Sequence, residues 1–132
     1  MVISNEIILS RLTGYAGYSG VIINDVEKDF ATGSLKVKDE VLNPMGIVHG
    51  GAIFTLLDTV AGTLARFRSG SERLCVTSCS DIHYLKAIKE GTIHARAQIL
   101  KEGKSTGIVT VKATDDDNNT CAFSTFEFFY LE

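Results

Sequence analysis

The stretch "NPMGIVHGGAIFTLLDTVAGTLARF", residues Asn43 to Phe67, decides the fold of this chain. After the pair Gly50-Gly51 the sequence becomes apolar with helical spacing, and it stays apolar to its end. Asp58 lies in the middle of this run. A carboxylate in apolar surroundings is energetically costly unless a partner holds it. We therefore expect Asp58 to be held by a partner or used in the chemistry of the protein.

The polar and small residues of this helix form one polar stripe. They recur at steps of three and one residues, which is the spacing of a single helix face. A surface helix would have a broad charged face instead. The pattern predicts a helix that is buried nearly all round, with the stripe facing a cavity or another subunit. The stripe consists of Thr55, Asp58, Thr59, Gly62, Thr63 and Arg66.

Two interpretations of Asp58 are open. In the first, Asp58 is a buried carboxylate that backbone donors hold or that Arg66 neutralises. Arg66 is two turns away, outside the spacing of three or four residues at which helix neighbours meet. In the second, Asp58 is a general base or nucleophile, because apolar surroundings destabilise the charged form of a carboxylate and make it a stronger base. The sequence favours the second.

The triplet His49-Gly50-Gly51 precedes the apolar run. Glycines let another group approach the backbone closely. The first four N–H groups of a helix have no internal acceptor, and the helix dipole favours negative charge near them. Such donors suit an oxyanion hole. A plain glycine turn into a helix explains the same letters equally well.

Composition excludes several classes of protein. The chain has 132 residues, which predicts one domain over residues 1–132. Its 13 basic and 16 acidic side chains give a net charge of −3, which argues against a general nucleic-acid binder. Its apolar runs are shorter than the roughly 18 residues of a membrane span, and its N-terminus is unlike a signal peptide. Three cysteines do not suggest a disulfide framework. We expect a cytoplasmic enzyme or binding protein without nucleic-acid or membrane partners.

The rest of the chain is predicted to be mainly strands. Residues 2–13 have helical spacing, and the glycines of residues 14–20 end that helix. Residues 21–41 indicate two strands around a turn. After Gly70 the period changes to two, and the turn signals "KEGK" and "DDDNN" separate further strands. Short turns favour antiparallel pairing, so we predict an α+β domain with the helix covering one sheet face.

Asn43, Gly46, the His49-Gly50-Gly51 triplet and Asp58 reproduce the pattern N-x-x-G-x-x-H-G-G-x-x-x-x-x-x-D. The chain thereby resembles the hotdog-fold acyl-CoA thioesterases of the phenylacetate-degradation (PaaI-like) type, from about residue 16 to the C-terminus. The resemblance implies a long helix wrapped by a curved antiparallel sheet. It also implies a homodimer joined sheet to sheet, often doubled to a tetramer, with the acyl-CoA at the dimer interface and no cofactor.

The resemblance also implies roles for individual residues. Gly50 would donate its N–H to the thioester oxygen, and Asp58 of the neighbouring chain would be the general base or nucleophile. Asn43 would position the water or the carbonyl, and His49 would orient the loop. Thr77 falls where the family places a Ser or Thr that holds the attacking water. The acyl group, whether aryl, short or medium in length, stays open.

Substrate contacts outside the reacting carbonyl are expected from Gly51 and from lysines. The chain has "YLKAIKEG" after residue 83, where the family usually has a proline, and this changes the loop near the expected coenzyme A channel. A lysine can bind a coenzyme A phosphate or be an ordinary solvated surface residue. The candidate lysines are Lys86, Lys89, Lys101 and Lys104, of which Lys86 and Lys104 are preferred.

The remaining reactive residues have plainer interpretations. Cys75 and Cys79 share a strand face with Thr77 by period two, and they are interpreted as small buried hydrophobes. His83 and His94 lack metal-ligand spacing, so no metal site is expected. The alternative function is a non-catalytic acyl-CoA-binding hotdog protein. A hotdog hydratase is disfavoured. Its family motif pairs an Asp with a His four or five residues later, and no such His follows Asp25, Asp29, Asp58 or Asp81.

Overall fold

Six strands and one long helix make up most of the protein. The structure, a computed structural model, describes residues 6–8 and 12–131. The helices are α1 (Gly14–Tyr18) and α2 (Gly50–Phe67), and a 3₁₀-helix spans Asp39–Val41. The strands are β1 (Val21–Val26), β2 (Phe30–Lys36), β3 (Cys75–Tyr84), β4 (Thr92–Glu102), β5 (Thr106–Thr114) and β6 (Thr120–Tyr130).

All six strands form one curved antiparallel sheet in the order β1-β2-β4-β5-β6-β3. Strands joined by short turns pair with each other, as the turn signals predicted. β3 follows α2 in the chain and lies at the far edge of the sheet, next to β6. The helix α2 contacts all six strands. The predicted α+β hotdog architecture, a long helix wrapped by a curved sheet, is confirmed.

The core lies between α2 and the concave face of the sheet. The Phe54 ring packs against Phe126 of β6, with ring centroids 5.4 Å apart. Burying such apolar surface contributes roughly 25 cal/mol per Å², so this side of α2 anchors the domain. Among the described residues, no helix has both the length and the apolar composition to cross a bilayer. The residues of α2 that have no exposed surface are Leu56, Leu57, Val60, Ala61 and Leu64.

The beginning of α2 is capped by a histidine. His49 is the N-cap residue, and its Nδ1 atom accepts a hydrogen bond from the Gly51 N–H at 2.7 Å. This bond satisfies one of the N–H groups that the first turn of a helix leaves without an internal acceptor. The turn after the helix closes at Gly70, whose φ of 89° is in the left-handed region that glycine adopts without strain.

Two predictions near the N-terminus have different outcomes. Of the helix predicted over residues 2–13, residues 6–8 are helical and residues 12 and 13 are not, whereas residues 2–5 and 9–11 lie outside the described residues. The segment after it was predicted to be non-helical because of its glycines, and this was wrong, since it contains α1. This short helix forms despite its glycines because hydrogen bonds cap its C-terminal end. The N–H and the hydroxyl of Ser19 both donate to the Tyr15 carbonyl, at 2.9 and 2.8 Å.

β3 contains a β-bulge at Ser78. Its pairing with β6 is regular up to Thr77 and resumes, shifted by one residue, with Cys79 opposite Glu127. The Ser78 hydroxyl lies 2.9 Å from Oε1 of Glu127 and so fastens the bulge to β6. An extra residue reverses the alternation of faces beyond it. The prediction that Cys79 shares a face with Cys75 and Thr77 is therefore wrong.

Candidate active site

Asp58 faces a cavity of about 210 Å³, here called the Asp58 cavity, on the open side of α2. Every member of the polar stripe except Thr55 lines this cavity. Apolar side chains, among them Leu12 and Phe128, also line it. The polar stripe is thus directed at a cavity, which is one of the two environments that the sequence predicted.

Thr77 is the hydrogen-bond partner of Asp58. Its Oγ1 donates to Oδ1 of Asp58 at 2.6 Å, because β3 before the bulge turns Thr77 toward α2. Arg66 forms its ion pair with Glu72 instead, at 2.6 Å. Within residues 6–8 and 12–131, no backbone group bonds the Asp58 carboxylate, and Oδ2 has no partner. The interpretation of Asp58 as a purely structural, neutralised carboxylate therefore has no support in this geometry.

The surroundings of Asp58 raise its basicity. Burial raises the pKa of Asp58 above its ordinary value, because an apolar environment disfavours the charged form. The hydrogen bond from Thr77 favours the charged form and lowers the pKa by a smaller amount. The carboxylate is thus a stronger base than a solvated one, and Thr77 fixes its orientation. Such a group can take a proton from water or attack a carbonyl carbon directly.

Gly50 presents a free N–H at the start of α2. Within the described part of the chain, this N–H has no hydrogen-bond partner, whereas the preceding carbonyl, that of His49, accepts from the Ala52 N–H at 2.9 Å. Gly50 lines a second cavity of about 320 Å³, here called the Gly50 cavity. A free N–H at the positive end of a helix, beside a cavity, is suited to a developing oxyanion.

Gly51 has a different task from Gly50. Its N–H is occupied by Nδ1 of His49, so it is not available to a substrate oxygen. A Cβ at position 51 would come within 3.0 Å of that same Nδ1 atom. The expectation that Gly51 binds substrate stays a prediction, and any such contact would not use its N–H.

Asn43 organises the loop that leads into α2. Its Oδ1 accepts from the Met45 N–H at 2.9 Å and from the Ile47 N–H at 3.3 Å. Its backbone N–H donates to the Ile47 carbonyl at 2.8 Å. The oxygen end of the side chain is therefore used by the loop. Because Asn43 also lines the Gly50 cavity, its Nδ2 group is the end that can donate to a bound molecule.

The two preferred lysines lie in different places. Lys86 lines the Gly50 cavity and pairs with Asp115, at 2.5 Å, which raises the pKa of Lys86. Lys104 lies in the turn between β4 and β5, where its carbonyl accepts from Arg73 at 3.2 Å. Of these two lysines, only Lys86 lines the Gly50 cavity of its own chain.

The cysteines do not provide a nucleophile. Burial raises the pKa of Cys75 to about 11, so its thiol is protonated at neutral pH and unreactive. Cys79 is exposed, contrary to its interpretation as a buried hydrophobe, because the bulge turns it away from α2. His94 places Nε2 2.8 Å from Oδ1 of Asp116, a pairing that the sequence did not suggest.

Tyr84 is a contact of the site that the sequence did not indicate. Its hydroxyl donates to the Gly50 carbonyl at 2.8 Å. Its ring lies so close that a Cβ at position 50 would come within 3.2 Å of its Cζ atom. The only available sequence signal was the glycine itself, because a glycine often marks close approach of another group.

The Asp58 cavity and the Gly50 cavity are separate, and no described residue lines both. The two positions are eight residues apart along α2, which corresponds to about 12 Å of helix. A reacting carbonyl has to lie about 3 Å from both its oxyanion donor and its nucleophile. Within one chain, Gly50 and Asp58 are therefore too far apart along α2 to contact one carbonyl group directly.

The fold is that of the hotdog-fold thioesterases. The chain belongs to the thioesterase superfamily, whose sequence profile matches residues 45–122. It is 30% identical to the acyl-coenzyme A thioesterase PaaI of Escherichia coli over 105 residues, which cover 78% of this chain and 72% of that protein. It is also 28% identical to the 1,4-dihydroxy-2-naphthoyl-CoA hydrolase of Listeria monocytogenes over 105 residues, covering 80% and 85% of the two chains.

Solved structures agree with this assignment. The structure of Escherichia coli PaaI matches with a TM-score of 0.85 at 24% identity, over 97% of this chain and 91% of that one, and it shows the fold. A Streptococcus mutans protein crystallised with acetyl CoA matches with a TM-score of 0.76 at 31% identity, over 83% of this chain and 87% of that one. The protein is a PaaI-like hydrolase of the thioesterase type.

Proposed function

We propose that the protein hydrolyses acyl-CoA thioesters to a free acid and coenzyme A, in sites that two subunits of a homodimer share. The observation that carries this proposal is that the Asp58 carboxylate lies at a cavity and accepts a hydrogen bond from Thr77, while burial raises its pKa. The substrate class is supported by the name of the PaaI relative and by the acetyl CoA in the Streptococcus mutans structure.

The proposed reaction uses groups from both subunits. The Gly50 N–H of one subunit donates to the thioester oxygen, and Nδ2 of Asn43 orients the carbonyl or the water. Asp58 of the partner subunit takes a proton from the attacking water, or attacks the carbonyl carbon itself. Negative charge moves to the carbonyl oxygen, where one such donor typically contributes about 3 kcal/mol. The carbon–sulfur bond then breaks, and the thiolate of coenzyme A leaves and takes a proton, from Asp58 on the water route or from solvent on the nucleophilic route. On the nucleophilic route, water then cleaves the acyl–Asp58 anhydride, which releases the free acid and restores the carboxylate.

The edge of β3 is where we propose that the subunits join. β3 is at one end of the strand order, and among the described residues its outer edge pairs with no strand. A long exposed edge favours pairing with another strand, and Val76 on this strand is 49% exposed. Two β3 strands paired about a two-fold axis would continue the sheet and bring Thr77 and Asp58 toward the partner's Gly50. We propose a further doubling to a tetramer on the resemblance alone.

Lys86 is the lysine that we propose contacts a coenzyme A phosphate. It lies at the Gly50 cavity, and its ammonium group would exchange Asp115 for the phosphate. Lys104 would reach the same coenzyme A only from the partner subunit, because its own chain places it in the β4–β5 turn.

The purified protein is expected to release free thiol from at least one acyl-CoA of a panel with aryl, short and medium acyl groups. The expectation follows from a base and an oxyanion donor that require no metal or redox group to cleave a thioester. Release is measured with a chromogenic thiol reagent, and the panel also gives the acyl preference. If acyl-CoAs bind but none is cleaved faster than in buffer, the protein is the non-catalytic binding protein.

Thr77→Ala is expected to lower kcat by about tenfold and to leave KM within about a factor of two, because Thr77 orients the base in the chemical step. The matched control is Thr77→Ser, which keeps the hydroxyl and should keep most of the activity. Both variants are assayed over a range of acyl-CoA concentrations. A tenfold rise in KM at unchanged kcat would make Thr77 a binding residue instead.

A further inference from the structure

The peptide group between Gly50 and Gly51 is held at both of its polar ends. Its carbonyl accepts the hydrogen bond from Tyr84 at 2.8 Å, and its N–H donates to Nδ1 of His49 at 2.7 Å. The preceding peptide, which carries the free Gly50 N–H, is held through its carbonyl by the Ala52 N–H at 2.9 Å. Gly50 thus lies between two peptide groups of fixed orientation.

The hydroxyl of Tyr84 contacts the backbone of Gly50 and is not needed for the core. Its side chain is 50% exposed and lines the Gly50 cavity, so it is not part of the core. The first carbonyl of an α-helix already accepts from the N–H four residues later, so the bond from Tyr84 is additional to the helix. Burial raises the pKa of Tyr84 further above neutral pH, so its hydroxyl is protonated and able to donate.

We propose that Tyr84 is a positioning residue for the oxyanion donor. A glycine has more backbone freedom than any other residue, and a donor is fully effective only when its direction is set before the reaction. Tyr84 and His49 together form a clamp on the Gly50-Gly51 peptide, and the clamp keeps the Gly50 N–H directed at its cavity. The inference rests on the proposed function, in which that N–H receives the developing charge.

The clamp predicts that Tyr84→Phe lowers kcat by about tenfold and leaves KM within about a factor of two, because small misplacements of a catalytic group act on the chemical step. The thermal midpoint should change by no more than about 2 °C, as expected for an exposed hydroxyl. Tyr18→Phe makes the same chemical change at a side chain that is 90% exposed, and it should leave kcat unchanged. A Tyr84→Phe kcat within twofold of wild type, or a change in KM alone, would overturn the proposal.

A second measurement does not depend on activity. Amide hydrogen exchange of the Gly51 N–H, followed by NMR, should accelerate about tenfold in Tyr84→Phe and stay unchanged in Tyr18→Phe, because the clamp limits opening of this peptide. Unchanged exchange in Tyr84→Phe would refute the clamp even if kcat fell. If the wild-type protein cleaves no acyl-CoA, the proposed function fails, while the exchange experiment still decides whether Tyr84 holds the peptide.

The clamp also predicts coupling between its two ends. Tyr84→Phe combined with His49→Ala should lower kcat by clearly less than the product of the two single losses, because either change alone releases the same peptide. Losses that multiply would mean that the two residues act independently, and would overturn the shared clamp.

Discussion

Asp58→Asn is expected to lower kcat by about a hundredfold or more, while the protein stays folded. The amide of asparagine cannot take a proton or attack a carbonyl, yet its oxygen can still accept the hydrogen bond from Thr77. The thermal midpoint at neutral pH should not fall. Because the pKa of Asp58 is raised in the folded state, its ionised form costs stability above that pKa, and a neutral side chain removes the cost.

The matched control for this variant is Asp29→Asn. Asp29 lies in the turn between β1 and β2, and its side chain is 81% exposed, so the same change there should leave kcat unaltered. Thiol release gives kcat, and calorimetry gives the thermal midpoint. An Asp58→Asn protein with activity within about twofold of wild type would show that Asp58 is neither base nor nucleophile.

Mixing two inactive variants is expected to restore activity. Asn43→Ala damages the half of the site around Gly50, and Asp58→Asn damages the half that the partner contributes. When the two chains are unfolded, mixed equally and refolded, about half of the dimers should contain one chain of each kind. In such a dimer one shared site carries both lesions and the other carries none. Roughly a quarter of the wild-type site activity should therefore return.

The control for this experiment mixes Asp58→Asn with Asp58→Ala. Both lesions are then in the same half of the site, so a mixed dimer has no intact site and activity should stay at the level of the single variants. Native mass spectrometry measures the fraction of mixed dimers. If mixed dimers form with Asn43→Ala and nothing is restored, each site is contained within one subunit, and the shared site is wrong.

The helix α2 was predictable because its signal is local. Its apolar residues repeat with a period that only a helix produces, and the polar stripe follows from the same period, so the side of the helix that opens to a cavity could be identified. The strands after Gly70 were predictable from their alternation and from their turn residues. The structure confirms the helix α2 and these strands.

The contacts between elements were not predictable in this way. The resemblance pointed to Thr77, but no period shows that its hydroxyl meets Asp58, since this contact joins β3 to α2. The pairing of Arg66 with Glu72 depends on the turn that follows the helix. A β-bulge has no sequence signature in this strand, so the exposure of Cys79 was missed.

The bulge at Ser78 constrains the length of the chain as well as its side chains. Thr77 and Tyr84 are seven residues apart, an odd number, and an unbroken strand would turn them to opposite faces. The one extra residue lets both reach α2, where one meets Asp58 and the other meets Gly50. A single insertion or deletion between them would turn one of the two toward solvent. During evolution, this short segment can therefore accept substitutions more readily than insertions or deletions.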